Sequence, residues 1–266
     1  MPQLRTNGIQ LAYQRTGRGE PVLLVMGSSA GGRVWTVHQT PALMKAGYET
    51  VTFDNRGIPP SDVPPGEYSL SDMVADTGGL IEALDLAPCR VVGTSLGAMI
   101  TQELMVERPE LVRCAVLIAT KARSDVTREA LAAGYRALAE SGIRLPPAYE
   151  AATSVVQMLS RSSLDDDRVA GLWLEIFELS GGGTAARGQN WADIAGDYRK
   201  ALQEISVPCQ VISFADDLIT PPHLGAEVAE AIADSDLLEI PDCGHLGFLE
   251  RPEEVNSAII EFLDKN

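Results

Sequence analysis

The run Cys89-Arg90-Val91-Val92-Gly93-Thr94-Ser95-Leu96-Gly97-Ala98-Met99-Ile100-Thr101-Gln102-Glu103-Leu104 decides the fold. Its first four residues read as an apolar strand. Ala98 to Leu104 read as a helix, being rich in residues that lose little freedom in helical backbone. Between them Gly93-Thr94-Ser95-Leu96-Gly97 is a sharp strand-to-helix turn. Such a turn strains its serine and keeps glycine at the flanks, where side chains would collide with the neighbouring strand and helix. The hydroxyl is lifted out of the sheet, the position a nucleophile needs.

Outward from this turn the same alternation continues. Pro21 to Met26, Thr50 to Phe53, Cys114 to Ile118, Cys209 to Ser213 and Asp236 to Ile240 are apolar runs of strand length. Helical patterns fall at 34–46, 70–86 behind Ser69 or Ser71 as cap, 96–108, 222–234 and 252–264. Strands apolar on both faces belong to a parallel sheet covered by helices, so the class is α/β, an open doubly wound sheet. Residues 2–16, centred on Asn7-Gly8, add an antiparallel hairpin at its edge, which brings the expected strands to eight.

Between Thr120 and Pro208 lie roughly 85 residues without a strand signal, too many for a loop in a compact domain. Helices are expected there at 126–141, 147–160, 165–179 and 192–204, interrupted by Pro146-Pro147 and Gly181-Gly182-Gly183. The expected organisation is an α/β core at 1–120 and 206–266. Residues 121–205 form an inserted helical lid over the carboxyl edge of the sheet, where open α/β sheets hold ligands.

Composition narrows the function classes. The 266 residues fit one large domain with an insertion, and 37 acidic against 21 basic residues give a formal charge of -16. That balance argues against a nucleic acid or an anionic membrane as partner. Cys89, Cys114, Cys209 and Cys243 are scattered without CxxC spacing, and three of them fall in or beside expected buried strands, where a free thiol acts as a small hydrophobe; His38, His223 and His245 show no ligand spacing. Neither a metal nor another cofactor is expected. No apolar run has the length of a signal peptide or a membrane span, which points to a cytoplasmic location.

A GxSxG match alone is weak, and the chain holds a second one, Gly27-Ser28-Ser29-Ala30-Gly31, also behind a strand. That one runs into Gly31-Gly32-Arg33, poor material for a helix, so Ser95 is the candidate nucleophile. The Gly27 to Gly32 loop suits another task. An oxyanion needs two backbone N–H donors, one from the residue after the nucleophile and one from the loop after an earlier strand. Leu96 and Ser28 are the candidates, against the alternative of a plain connector. His245 follows the last strand through Pro241-Asp242-Cys243-Gly244 and is placed to act as general base. His38 reads as core or surface filler and His223 as solvated. For the acid that orients the imidazole, Asp216 and Asp217 compete at the end of a strand, and alternation lets one of the two face the histidine.

With these residues placed, the chain resembles the α/β-hydrolase superfamily, and within it the non-haem bromoperoxidase-like or perhydrolase-like branch. The resemblance runs from the first hairpin to the last helix. It rests on Phe53-Asp54-Asn55-Arg56-Gly57, like the family's D-x-R-G turn; on Gly93 to Gly97; on Asp217-Leu218-Ile219-Thr220-Pro221, an acid followed four residues later by proline, which favours Asp217; and on Gly244-His245 with Glu250-Arg251-Pro252. Met26 stands where most relatives carry a histidine in the oxyanion loop, so the hydrogen bonding behind that loop should differ. Trp35 resembles a tryptophan that many relatives place near the acyl pocket, although packing explains it almost as well.

The resemblance implies cofactor-free acyl transfer from a small-molecule ester or thioester, free or carrier-bound, with Ser95, His245 and Asp217 as catalytic triad and peracid formation as a side reaction. An acyltransferase acting on a carrier thioester, a carbon–carbon bond hydrolase or lyase, and a binding protein with negligible turnover are the alternatives. Met158, Leu172, Trp173, Ile176 and Phe177 are candidates for an apolar pocket, or else pack the lid onto the core.

Overall fold

A computed structural model describes residues 1–180, 185–192 and 196–266. Eight strands, β1 (Gln3–Thr6), β2 (Ile9–Gly17), β3 (Pro21–Val25), β4 (Glu49–Phe53), β5 (Cys89–Thr94), β6 (Val112–Ile118), β7 (Cys209–Phe214) and β8 (Ser235–Ile240), form one sheet. Its order is β1-β2-β4-β3-β5-β6-β7-β8. The β1–β2 hairpin and the β2–β4 pair are antiparallel, and every pairing from β4 to β8 is parallel. This is the eight-stranded, mostly parallel, doubly wound sheet of the α/β-hydrolase fold, as the sequence predicts.

Helices cover both faces. α1 (Gln39–Lys45), α10 (Gly247–Glu250) and α11 (Pro252–Lys265) close one core, built around Val22, Leu24, Trp35, Val116, Phe214 and Ile259. α2 (Leu70–Ala83), α3 (Leu96–Glu107) and α9 (Pro222–Ala231) close the other, around Leu23, Val91, Ile100, Leu117 and Val211. Every residue of β5 is buried, and so is α3 from Leu96 to Met105, so strand and helix sit at the centre of the molecule. Ser69 caps α2 in a reciprocal capping box with Asp72, which settles the choice between Ser69 and Ser71.

The chain leaves β3 for β4 on one side and returns to β5 on the other, and the connections that follow β3 and β5 run to opposite faces of the sheet. Open α/β sheets place their ligand crevice at such a switch point. The register pairs Val25 with Gly93. The loop after β3 therefore lies beside the turn after β5.

Between β6 and β7 the described residues hold no strand apart from an isolated bridge of Arg123 with Asp197. They hold α4 (Val126–Ser141), α5 (Pro147–Met158), α6 (Arg161–Leu164), α7 (Asp167–Ser180), a 3-10 segment (Ala185–Trp191) and α8 (Arg199–Leu202). Among the described residues no helix is long and apolar enough to cross a membrane.

Several expected helices come out differently. The segment expected at 34–46 is a 3-10 turn (Gly32–Thr36) followed by α1, because Pro41 has no N–H and its ring would strike the Val37 carbonyl of a continuous helix. The segment expected at 165–179 starts later, where Asp166 Oδ1 accepts the N–H groups of Arg168 and Val169. The helix expected at 192–204 shrinks to α8. There Gly196 takes φ 84°, Asp197 bridges to Arg123, and the Tyr198 N–H donates to the Ala122 carbonyl, so tertiary pairing wins over helical propensity. The Gly181-Gly182-Gly183 break and residues 193–195 of that helix lie outside the described residues. β8 is an edge strand with Leu237 exposed, rather than a run buried on both faces.

Candidate active site

Ser95 takes φ 52° and ψ -120°, a conformation that costs a residue with a Cβ on the order of 1–3 kcal/mol and persists where the surroundings enforce it. They do so here. A Cβ on Gly97 would lie 2.1 Å from the Val25 carbonyl oxygen, and one on Gly93 would lie 2.5 Å from the Gly97 oxygen. The Ser95 N–H donates to the Ile118 carbonyl at 2.9 Å, while its own carbonyl accepts from Ala98 and Met99. The main chain is thus fixed from both sides, and Ser95 remains partly exposed.

His245 and Asp217 meet that hydroxyl. Ser95 Oγ lies 3.0 Å from His245 Nε2, and His245 Nδ1 lies 2.8 Å from Asp217 Oδ2. The carboxylate is saturated with donors. Oδ1 accepts from the Ile219 and Thr220 N–H groups at 2.8 and 2.9 Å, and Oδ2 accepts the Thr220 hydroxyl at 2.8 Å besides the imidazole. Burial by itself pushes the Asp217 carboxyl up. The charge on His245 and the hydrogen bonds from His245 and Thr220 outweigh it and hold the group below the ordinary carboxylate range. Asp217 is 2 % exposed, and these interactions keep it an anion inside the protein despite that burial. Its neighbour Asp216 is half-buried, with its backbone N–H turned to the Cys243 carbonyl, so the choice between the two aspartates falls on Asp217.

The turn that carries His245 is held by Glu250. Its carboxylate accepts the Gly244 N–H at 2.7 Å and, from the N-cap of α6, the Ser160 hydroxyl at 2.7 Å and N–H at 3.1 Å. The Leu246 N–H donates to the Met158 carbonyl at 3.1 Å. Packing is tight, since a Cβ on Gly244 would lie 2.5 Å from the Leu159 carbonyl carbon.

Beside the serine runs the loop after β3. A Cβ on Gly27 would sit 3.2 Å from Ser95 Cβ, so only glycine lets the loop approach this closely without displacement. The loop is anchored at its start by Asn55 Nδ2 on the Met26 carbonyl (2.9 Å), at its end by Asp54 Oδ1 on the Gly32 N–H (2.8 Å), and in the middle by Gln189 Oε1 on the Ser29 N–H (2.8 Å). No acceptor among the described residues takes the N–H of Ser28 or of Leu96. Met26 itself is buried in the core.

The other candidates divide. Met158 comes to the His245 turn through its carbonyl. Trp173 and Phe177 stack on each other at 5.9 Å along α7, both half-buried, and Leu172 and Ile176 are exposed. Trp35 is fully buried in the core beneath α1 and packs against Phe248, with ring centroids 5.2 Å apart. His38 is the residue preceding α1, and His223 is mostly exposed near Asp125.

Sequence reasoning missed Thr220, Glu250 and Gln189. Thr220 and Glu250 stood inside quoted motifs, three residues after the acid and five after the histidine, but hydrogen bonding to a carboxylate or a turn is not readable from spacing. Gln189 carries no local signal at all.

The α/β-hydrolase-fold family matches residues 20–252, and the chain belongs to that family of enzymes. Among its relatives, BpoC of Mycobacterium tuberculosis strain H37Rv, which carries a non-heme bromoperoxidase name, is 46% identical over 256 residues, covering 96% of this chain and 97% of that protein. The BpoC crystal structure superposes with a TM-score of 0.92 at 44% identity and 96% coverage of both chains. A 3-oxoadipate enol-lactonase of Acinetobacter baylyi is 27% identical over 258 residues, covering 96% of this chain and 94% of the enzyme. The malate-bound thermophilic esterase of Thermogutta terrifontis is 26% identical at a TM-score of 0.86, covering 100% of this chain and 99% of the esterase.

Proposed function

We propose that the protein hydrolyses a carboxylic ester or thioester of a small molecule through an acyl-enzyme on Ser95. The observation that carries the reading is the unbroken relay from Ser95 Oγ through His245 to an anionic Asp217. Asp217 holds the proton of His245 on Nδ1, which leaves Nε2 with a lone pair toward the serine. As Ser95 Oγ attacks the carbonyl carbon, its proton passes to Nε2, and the imidazolium is stabilised by the buried carboxylate. The oxyanion is met by the N–H groups of Leu96 and Ser28, the first of them at the positive end of α3. The tetrahedral species collapses, His245 returns the proton to the leaving group, and water then repeats the sequence on the acyl-serine.

When hydrogen peroxide takes the place of water in that second half, the products are a peracid and the free serine, with no metal or haem required. The relatives support ester chemistry by name, one an esterase and one a lactonase. The inserted segment 121–205, tied to the His245 turn through Met158 and Ser160, serves as lid, with Met158, Trp173 and Phe177 toward the acyl group.

Mixing the protein with p-nitrophenyl acetate and butyrate, and reading both nitrophenolate release and the intact mass after acid quench, tests this. Steady turnover with a transient acyl adduct supports hydrolysis. An adduct that persists until an alcohol or amine is added turns the assignment to acyl transfer, and absence of both adduct and turnover leaves a binding protein.

A further inference from the structure

The 3-10 segment Ala185–Trp191 contributes nothing to the proton relay, yet it reaches the loop beside it. Gly188 enters where a Cβ would lie 2.6 Å from the Tyr68 ring, and its carbonyl accepts the Tyr68 N–H at 2.9 Å. One residue further, Gln189 is 3 % exposed and its amide is used at both ends. Oε1 accepts the Ser29 N–H at 2.8 Å and Nε2 donates to the Arg56 carbonyl at 2.8 Å. The orientation is forced, since a flipped amide would set donor against donor and acceptor against acceptor. Arg56 is itself fixed, paired in the interior with Asp76 of α2 and lying over the Tyr68 ring at 5.7 Å. A continuous line of hydrogen bonds thus runs from α2 through Arg56 and Gln189 to Ser29, the residue that follows the Ser28 donor.

The loop needs such a prop. Ser29 sits at φ 62°, an unfavourable region for a serine, and the Asn55 and Asp54 bonds secure the two ends of the loop without reaching its centre. We infer that Gln189 is the positioning residue of the oxyanion loop, so that the loop takes its working geometry only while the inserted segment is seated. This rests on the acyl-transfer reading and extends it: closure of the insert and assembly of the oxyanion site are one event.

Gln189→Met keeps the length of the side chain and removes both hydrogen bonds. The expected result is a kcat for p-nitrophenyl butyrate lower by about 10- to 100-fold, with KM changed less than about 3-fold, because a displaced donor weakens the transition state more than the ground state. A Gln189→Met enzyme with unaltered kcat, or one that loses only in KM, overturns the inference. Amide hydrogen exchange of the unmodified protein gives a second readout that needs neither a folded variant nor turnover. The Ser29 and Tyr68 N–H groups both bond to the insert, so they should exchange through one shared opening, below the free energy of global unfolding. A Ser29 amide that exchanges freely while Tyr68 is protected contradicts the inference. Should the unmodified protein show no esterase turnover, the proposed function falls, and the exchange data still decide whether Gln189 holds the loop.

Discussion

Replacing Asp217 by asparagine tests the relay at its most constrained point. Oδ1 receives two backbone N–H groups, from Ile219 and Thr220, and these donors cannot turn away. The asparagine must therefore place its carbonyl oxygen there and its NH2 toward His245 Nδ1. Facing a donor, Nδ1 becomes the acceptor, the ring proton moves to Nε2, and Ser95 loses the lone pair that should take its proton. By the behaviour of Ser-His-Asp sites generally, this wrong tautomer lowers kcat by about 10⁴-fold, which is roughly 5 kcal/mol of barrier. The assay is steady-state hydrolysis of p-nitrophenyl butyrate with Asp216→Asn as control, expected within about 2-fold of the parent enzyme. Loss of less than about 10-fold in Asp217→Asn, or an equal loss in Asp216→Asn, would refute the reasoning. Stability follows the same carboxylate. Its folded pKa is depressed, so its contribution is present above the unfolded value of about 3.9 and is lost as pH falls through the lower folded value. The Tm difference between parent and variant should hold from neutral pH to about pH 5 and shrink only in stronger acid.

Other expectations concern the scaffold of the site. Glu250→Gln should lower kcat by about 10-fold with little change in KM, since the Gly244 and Ser160 donors lose a charged acceptor and the His245 turn loosens; titrating kcat and KM separately checks this. Gly97→Ala should fail to accumulate as folded protein, because its Cβ would fall 2.1 Å from the Val25 carbonyl oxygen, and near-UV circular dichroism reads the outcome. The thiols of Cys89, Cys209 and Cys243 are pushed up to about 12 by burial, and that of Cys114 to about 11. Iodoacetamide at pH 8 should therefore neither inhibit nor add mass until the protein is unfolded, even though Cys243 lies two residues from His245.

The strand-turn-helix around Ser95 was legible because three separate constraints, apolar burial, glycine clearance and helical propensity, fall on adjacent residues. The chain order of Ser95, Asp217 and His245 was legible for a related reason: each follows a strand within a few residues, and strands announce themselves. The division at Val37 was legible in principle, since Pro41 forbids a continuous helix, but the surrounding periodicity masked it. Residues 196–198 could not be read correctly from their neighbours, because their geometry is set by Arg123 and Ala122, more than seventy positions earlier. The same holds for Gln189, whose partners Ser29 and Arg56 come from two other loops.

The central claim is that Ser95 is made nucleophilic by His245. A fluorophosphonate probe, followed by intact-mass analysis and peptide mapping, measures this directly. One adduct per chain on Ser95, absent in Ser95→Ala and slowed by orders of magnitude in His245→Ala, is the predicted result. An unlabelled protein, or labelling that persists at the same rate without His245, would contradict the account.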